Sequence, residues 1–223
     1  MEPEPISARP VSPQLDLARA LATPIKELGE SERPLYLAHL ISLDEQDRYL
    51  RFGSPLSDSS IERYAEQIDF DTDTLFGVFD DALDLVAAGH FAPIPDRAEE
   101  GEPVQRAAEF GLSVRADARG RGLGTALFLR AAAHARNLGI GMLFMHCLSE
   151  NRAMMRIARK AGMDIQQAHG EADAYLTLKP GDMASAIEEG VQRQIALFDF
   201  AVKRQLLIAR NAHALRPAAP AGI

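Results

Sequence analysis

Apolar positions along the chain alternate between a period of two and a period of three to four, which predicts strands and helices in turn. Leu35 to Ser42 is an almost unbroken apolar run and reads as a first strand. Asp44 to Arg51 and Ser57 to Gln67 read as two short helices, with Ser57 or Asp58 as N-cap of the second. Thr74 to Phe79 and Leu83 to Phe91 read as a hairpin turned at Asp80-Asp81, and Pro93 to Glu102 as a polar loop. Ala107 to Val114 is a fourth strand, Gly122 to Asn137 a helix stopped by Gly139, and Gly141 to Leu148 a fifth strand. Asn151 to Ala161 is a helix stopped by Gly162, and Ile165 to Ala168 and Asp173 to Leu178 complete the strands. Asp182 to Asn211 predicts one long helix, because Ile187, Val191, Ile195, Phe198, Val202 and Leu206 recur every three or four residues.

This order predicts an α/β fold, layered in the α+β sense: a mixed central sheet of about seven strands flanked by helices, plus a long C-terminal helix. Residues 1–30 hold five prolines and read as an irregular arm, with Leu15 to Leu21 as a short helical turn. The main domain covers residues 31–180, the long helix 181–211, and a loose tail 212–223. The apolar stripe of the long helix suits packing on its own sheet or pairing with a second copy; a homodimer is the favoured expectation.

Composition narrows the function. The chain of 223 residues has a formal net charge of -8 and a pI near 5.3, which argues against a general nucleic-acid partner. Cys147 is the one cysteine, so no internal disulfide forms and a reducing, cytoplasmic setting is expected. The start, Met1-Glu2-Pro3-Glu4-Pro5, lacks the basic and apolar segments of a signal peptide, and no run approaches the ~20 apolar residues that span a bilayer. No membrane partner is expected, and no metal site is read.

The most informative segment runs from Val114 to Thr125, between a strand and a helix. Helix starts carry free backbone N–H groups and the positive end of the dipole, so they bind anions. Gly120, Gly122 and Gly124 remove side chains that would hold a phosphate away, and Arg119 and Arg121 add positive charge. The glycine spacing does not fit G-x-G-x-x-G, and no G-x-x-x-x-G-K-[ST] loop is present, which argues against NAD and ATP. A tight turn with arginines facing solvent is the bland alternative.

Arg119-Gly120-Arg121-Gly122-Leu123-Gly124 resembles the [RQ]-x-x-G-x-[GA] signature of the GNAT acetyltransferases. A second segment, Asn151-Arg152-Ala153-Met154-Met155-Arg156-Ile157-Ala158-Arg159-Lys160-Ala161-Gly162-Met163, resembles that family's helix after the fifth strand. The resemblance covers roughly residues 33 to 180. It extends to the GNAT domain of bacterial protein-lysine acetyltransferases through Arg48 to Phe52, Gln67 to Asp71 and Ala108-Glu109-Phe110. It implies acetyl-coenzyme A as co-substrate, its pyrophosphate on the amides of Arg119, Gly120, Arg121, Gly122, Leu123, Gly124 and Thr125. The pantetheine arm would lie along Ser113 and Val114, where the fourth strand splays from its neighbour, with Asn151 helping to hold it.

Acyl transfer to an amine needs a base, since an ammonium must shed a proton before it attacks. Glu109 matches the glutamate of the lysine-acetylating relatives and is the candidate base, acting directly or through a water; a carboxylate paired with an arginine is the alternative. Asp117 and His90 are weaker candidates, the first for ordering the loop and the second for lining the cleft. Where many relatives carry a tyrosine that protonates the leaving thiolate, this chain has Ala158. Cys147 reads as a buried thiol. The acidic early helices and loop suit an amine-bearing small molecule, a polyamine or a protein lysine. The alternative is a non-catalytic acyl-coenzyme A-binding module acting as sensor or docking domain.

Overall fold

In the computed structural model, which describes residues 23–95 and 106–214, seven strands form one mixed sheet in the order β1-β2-β3-β4-β5-β7-β6. The strands are β1 (Lys26–Leu28), β2 (Thr74–Phe79), β3 (Leu85–Ile94), β4 (Ala107–Val114), β5 (Met142–Leu148), β6 (Asp164–Ala168) and β7 (Glu171–Thr177). Every neighbouring pair is antiparallel except β4 with β5. The helices are α1 (Arg33–Ile41), α2 (Glu45–Phe52), α3 (Asp58–Glu66), α4 (Leu123–Asn137), α5 (Arg152–Ala161) and α6 (Met183–Ala214).

Alternation along the strands sends side chains to two cores. Phe76, Phe91, Phe110, Leu143 and Met145 meet α4 and α5 on one face, through Leu127, Phe128, Met155 and Ile157. Leu75, Leu85 and Ala88 meet α1 and α3 on the other, through Tyr36, Leu40 and Ile61. Glycine C-caps stop α2 and α5 in the left-handed region, at Gly53 and Gly162. Asp44 and Ser57 cap α2 and α3 by accepting from Asp47 N and Ser60 N.

The expected first strand, Leu35 to Ser42, is a helix. A short apolar run has no period that separates strand from helix; here Tyr36, Leu40 and Leu43 fall at helical spacing and are buried, and Pro34 starts the first turn. The true first strand, Lys26–Leu28, lies in the segment expected to be irregular and pairs with β2. β3 begins at Leu85 rather than Leu83, because Leu83 takes a positive φ in a turn where Asp80 accepts from the amides of Ala82 and Asp84. The expected turn at Leu15 to Leu21, most of the Pro93 to Glu102 loop and most of the tail lie outside the described residues.

Helix α6 turns a different face to its own domain than the apolar stripe predicts. Ser185, Glu189, Ala196, Phe200 and Lys203 point inward. Arg130 of α4 is buried and bonds Glu189 and Glu27 at 2.5 Å each, while Glu189 also takes bonds from His134 at 2.7 Å and Asn137 at 2.5 Å. Burial alone would raise the Glu189 pKa, but these donors outweigh it and hold the carboxyl at about 2. Among the described residues, no helix is long and apolar enough to cross a membrane.

Candidate active site

Strands β4 and β5 pair only through Ala107↔Met142, Ala108↔Leu143 and Glu109↔Phe144. Beyond Glu109 they part: β5 stays with β7 as far as Leu148↔Glu171, and β4 stays with β3 as far as Val114↔Ala87. The edge of β4 from Phe110 to Val114 is thereby left with backbone groups turned toward the gap, ready to bond an extended ligand. Glu109 stands at the fork.

The loop after β4 leads into α4. A short 3-10 turn at Ala116–Ala118 precedes Gly120 and Gly122, whose φ values of 76° and 83° favour glycine. A Cβ at either position would meet nothing within 4 Å, so this side of the loop is open. The first helical bond is Ala126 N to Gly122 O, and the amides of residues 120–125 donate to no acceptor among the described residues. Gly124 has another role than the sequence suggested: its Cβ would lie 3.1 Å from Ile157 Cδ1, so it lets α4 pack close to α5.

The loop's charged residues brace it. Arg119 forms an ion pair with Asp47 of α2 and donates to Val114 O at 3.2 Å, which ties loop to helix. Arg121 donates to Asp117 O at 3.2 Å. Asp117 grips Arg115 at 2.5 and 3.0 Å, and the Arg115 bonds hold its carboxyl below the usual range. Asp117 thus orders the loop.

A cleft of about 290 Å³ opens beside the fork, on the sheet face covered by α2 and α3. Glu109, Gly111, His90 and Ala92 line its floor, since β3–β4 register sets His90 opposite Gly111 and Ala92 opposite Glu109. Arg51 and Tyr64 close it from above and His146 stands at its rim. His90 is held between Asp73 Oδ2, 3.0 Å from Nε2, and the Tyr64 hydroxyl, 2.7 Å from Nδ1. Burial, opposed by the Asp73 bond and reinforced by Arg51, lowers the His90 pKa, so the ring is neutral near pH 7. A neutral ring donating to Asp73 accepts from Tyr64, whose oxygen accepts from Arg51 Nη2 at 3.1 Å.

The family model described as the acetyltransferase (GNAT) family matches residues 39–163, more than half of the chain. The chain belongs to the GNAT acetyltransferase family. Solved structures share the fold at low identity. The GNAT domain of S. lividans PAT aligns with a TM-score of 0.57 and 20% identity over 69% of this chain and 89% of that one. A GNAT acetyltransferase from Streptococcus pneumoniae gives 0.53 and 15% over 69% and 98%. Spermidine N-acetyltransferase from Vibrio cholerae, solved with CoA and spermine, gives 0.51 and 17% over 69% and 94%.

In this acetyltransferase, Ser113, Val114 and residues 119–125 lie together along the splayed edge and the loop. The Ser113 side chain turns away, donating to His39 Nε2 at 2.8 Å, while His39 Nδ1 donates to Leu85 O at 2.8 Å. Asn151 uses both ends of its amide within the chain: Oδ1 accepts from Met154 N at 3.1 Å and Nδ2 donates to Leu50 O at 3.1 Å. It therefore joins α5 to α2, which frames the cleft. Ala158 is fully buried in the core, and burial raises the pKa of the Cys147 thiol, which keeps it protonated and unreactive. The sequence reading missed Arg51, Tyr64 and His39. The last fell in the run misread as a strand, while Arg51 and Tyr64 reach the cleft only because α2 and α3 lie across the sheet.

His39 gives the fold a pH signature. Burial pushes its pKa from 6.5 to about 4, outweighing the opposing Leu85 bond. The unfolded chain therefore takes the proton first, so the stabilisation is fully present above pH 6.5 and is lost as pH falls toward 4. The loss amounts to about 3 kcal/mol. Urea unfolding of wild type and His39→Gln between pH 7 and pH 4 checks this: wild type loses more stability than the variant, and equal slopes contradict it.

Proposed function

We propose that this acetyltransferase transfers the acetyl group of acetyl-coenzyme A to a primary amine by direct attack on the thioester. The observation that carries the reading is Glu109 at the fork of β4 and β5, where the open strand edge and the open loop meet. The fit to coenzyme A rests on the unpartnered amides of residues 120–125 and on the open glycine face, which suit a pyrophosphate. The edge of β4 would carry the pantetheine arm, and its amides would donate to the carbonyl oxygen as charge develops there. Coenzyme A supplies an activated acyl group with a thiolate leaving group.

Glu109 takes one proton from the ammonium, freeing the nitrogen lone pair. A C–N bond forms as the C–S bond breaks, and the thiolate takes up the second proton that the nitrogen sheds. With Ala158 at the expected donor position, that proton passes through water. A thiol pKa of about 8.5 makes the thiolate a tolerable leaving group without a dedicated acid. The test is mass spectrometry of a panel of primary amines incubated with the chain and acetyl-coenzyme A. An acetylated amine supports the reading; acetyl-coenzyme A lost to water alone contradicts it.

We also propose that α6 pairs with a second copy of this chain, antiparallel about Phe198. The stripe from Ile187 to Leu206 is 39–73% exposed, with Phe198, near the middle of the helix, the most exposed. An antiparallel pair lays the first half, with Glu188, along the second half, with Arg204 and Arg210. The helix, about 48 Å long, offers an apolar seam along its length. Phe198→Glu, on an exposed position, is expected to convert a dimer to a monomer in sedimentation. A monomeric wild type contradicts the pairing.

A further inference from the structure

The acceptor cleft carries a charge pattern that the amine reading alone does not require. Arg51 is a permanent cation. Among the described residues it has no carboxylate within ion-pairing distance, whereas Arg48, three residues earlier, pairs with Asp58 at 2.7 Å. Its Nε is buried without a hydrogen-bond partner. It rests on the Phe52 ring, 4.9 Å from the centroid, and donates to Tyr64. A half-buried guanidinium with no carboxylate at contact distance, stabilised by Glu109 only at longer range, keeps charge and donors to offer a ligand.

Gly111 fixes where that cation sits. A Cβ at Gly111 would lie 2.6 Å from Arg51 Nη2, so the missing side chain admits the guanidinium onto the strand surface. Glu109 is two residues back on the same face, about 7 Å along the strand. One small cleft therefore holds a fixed cation and, one strand repeat away, the carboxylate at the fork. His90, opposite Gly111 on β3, is neutral and locked by Asp73 and Tyr64, so it does not cancel either charge.

We infer that the acceptor is an amino acid, or a similarly small amine bearing a carboxylate a few bonds from its nitrogen, with the carboxylate on Arg51 and the ammonium at Glu109. This rests on the acetyl-transfer reading above and names its substrate class. A planar guanidinium suits a carboxylate in paired hydrogen bonds. A polyamine entering the same cleft would bring a second ammonium against Arg51, and a lysine within a protein would bring no carboxylate. The cleft volume, about 290 Å³, fits a small molecule. The acidic groups expected to attract polycations are partly spent: Asp73 holds His90 and Asp58 holds Arg48.

The experiment compares each amino acid with its decarboxylated partner and its amide: leucine against isopentylamine and leucinamide, lysine against cadaverine, alanine against ethylamine. Thiol release from acetyl-coenzyme A gives kcat/KM for each. A carboxylate advantage of about 10- to 100-fold is expected in the wild type. The ratio collapses toward one in Arg51→Met and is partly kept in Arg51→Lys, which retains charge but not the fork. Melting temperatures confirm that each variant is folded, and the wild-type ratio needs no variant. Transfer to amines with no carboxylate advantage, or an advantage that Arg51→Met leaves intact, overturns the inference and leaves acetyl transfer standing. If no amine is acetylated, the transfer reading fails, and calorimetry of the same pairs with the coenzyme A-loaded chain decides the site. Arg51-dependent binding of the acids alone then upholds it, and equal or absent binding overturns it.

Discussion

Replacing Gly122 by glutamate is expected to weaken coenzyme A binding at least ~100-fold, or about 3 kcal/mol. Gly122 sits at φ 83° at the N-cap of α4, with open space where a Cβ would go. Space therefore does not exclude the new side chain; charge does. A carboxylate there would stand where the amides of residues 120–125 point, and would repel a pyrophosphate at close range. A left-handed residue other than glycine also costs roughly 1–2 kcal/mol of backbone strain. Gly122→Ala separates the two effects, because it carries the strain without the charge. Calorimetry on both variants is the check: a large loss for glutamate and a small one for alanine supports the loop as the phosphate site. Equal affinity of wild type and a folded Gly122→Glu defeats it.

Glu109→Gln is expected to lower kcat about 10²- to 10³-fold while leaving affinity for acetyl-coenzyme A nearly unchanged. The substitution keeps shape and removes only the capacity to take a proton. Glu109 is exposed at the fork and has no ion-pair partner among the described residues, so the fold is not expected to suffer. The pH dependence distinguishes a base from a binding group. At high pH the solvent already deprotonates the amine, so the gap between variant and wild type narrows. A constant gap at every pH points to a binding role, and no gap removes Glu109 from the mechanism.

The sequence made some of this legible and hid the rest for physical reasons. Thr74–Phe79 and Ala107–Val114 were readable to the residue because turn-forming residues bound them, the first being buried on both faces and the second alternating between a buried and a more open face. Gly162 marked the end of α5 because a left-handed cap there needs glycine. The glycine loop was readable because local backbone demands are written locally. In contrast, β1 has three residues and no period to detect, and α1 hides its helical spacing in a continuous apolar run. The long helix shows its period clearly, yet its apolar stripe faces outward while Glu189 and Arg130 hold the inward face. Periodicity gives a stripe but not the direction in which it points. Glu109 could be placed on the right strand, but its relation to Arg51 could not, because that depends on Gly111 admitting a side chain from another element.

The most direct test of acetyl transfer at this site is the initial rate of thiol release from acetyl-coenzyme A as a function of amine concentration, in wild type and Glu109→Gln, with acetylated amine quantified in parallel. Acetyl transfer with Glu109 as base gives saturable, amine-dependent release in the wild type, one acetylated amine per thiol, and a rate reduced about 10²- to 10³-fold in the variant near pH 7. Release that ignores the amine, or that Glu109→Gln leaves unchanged, contradicts it.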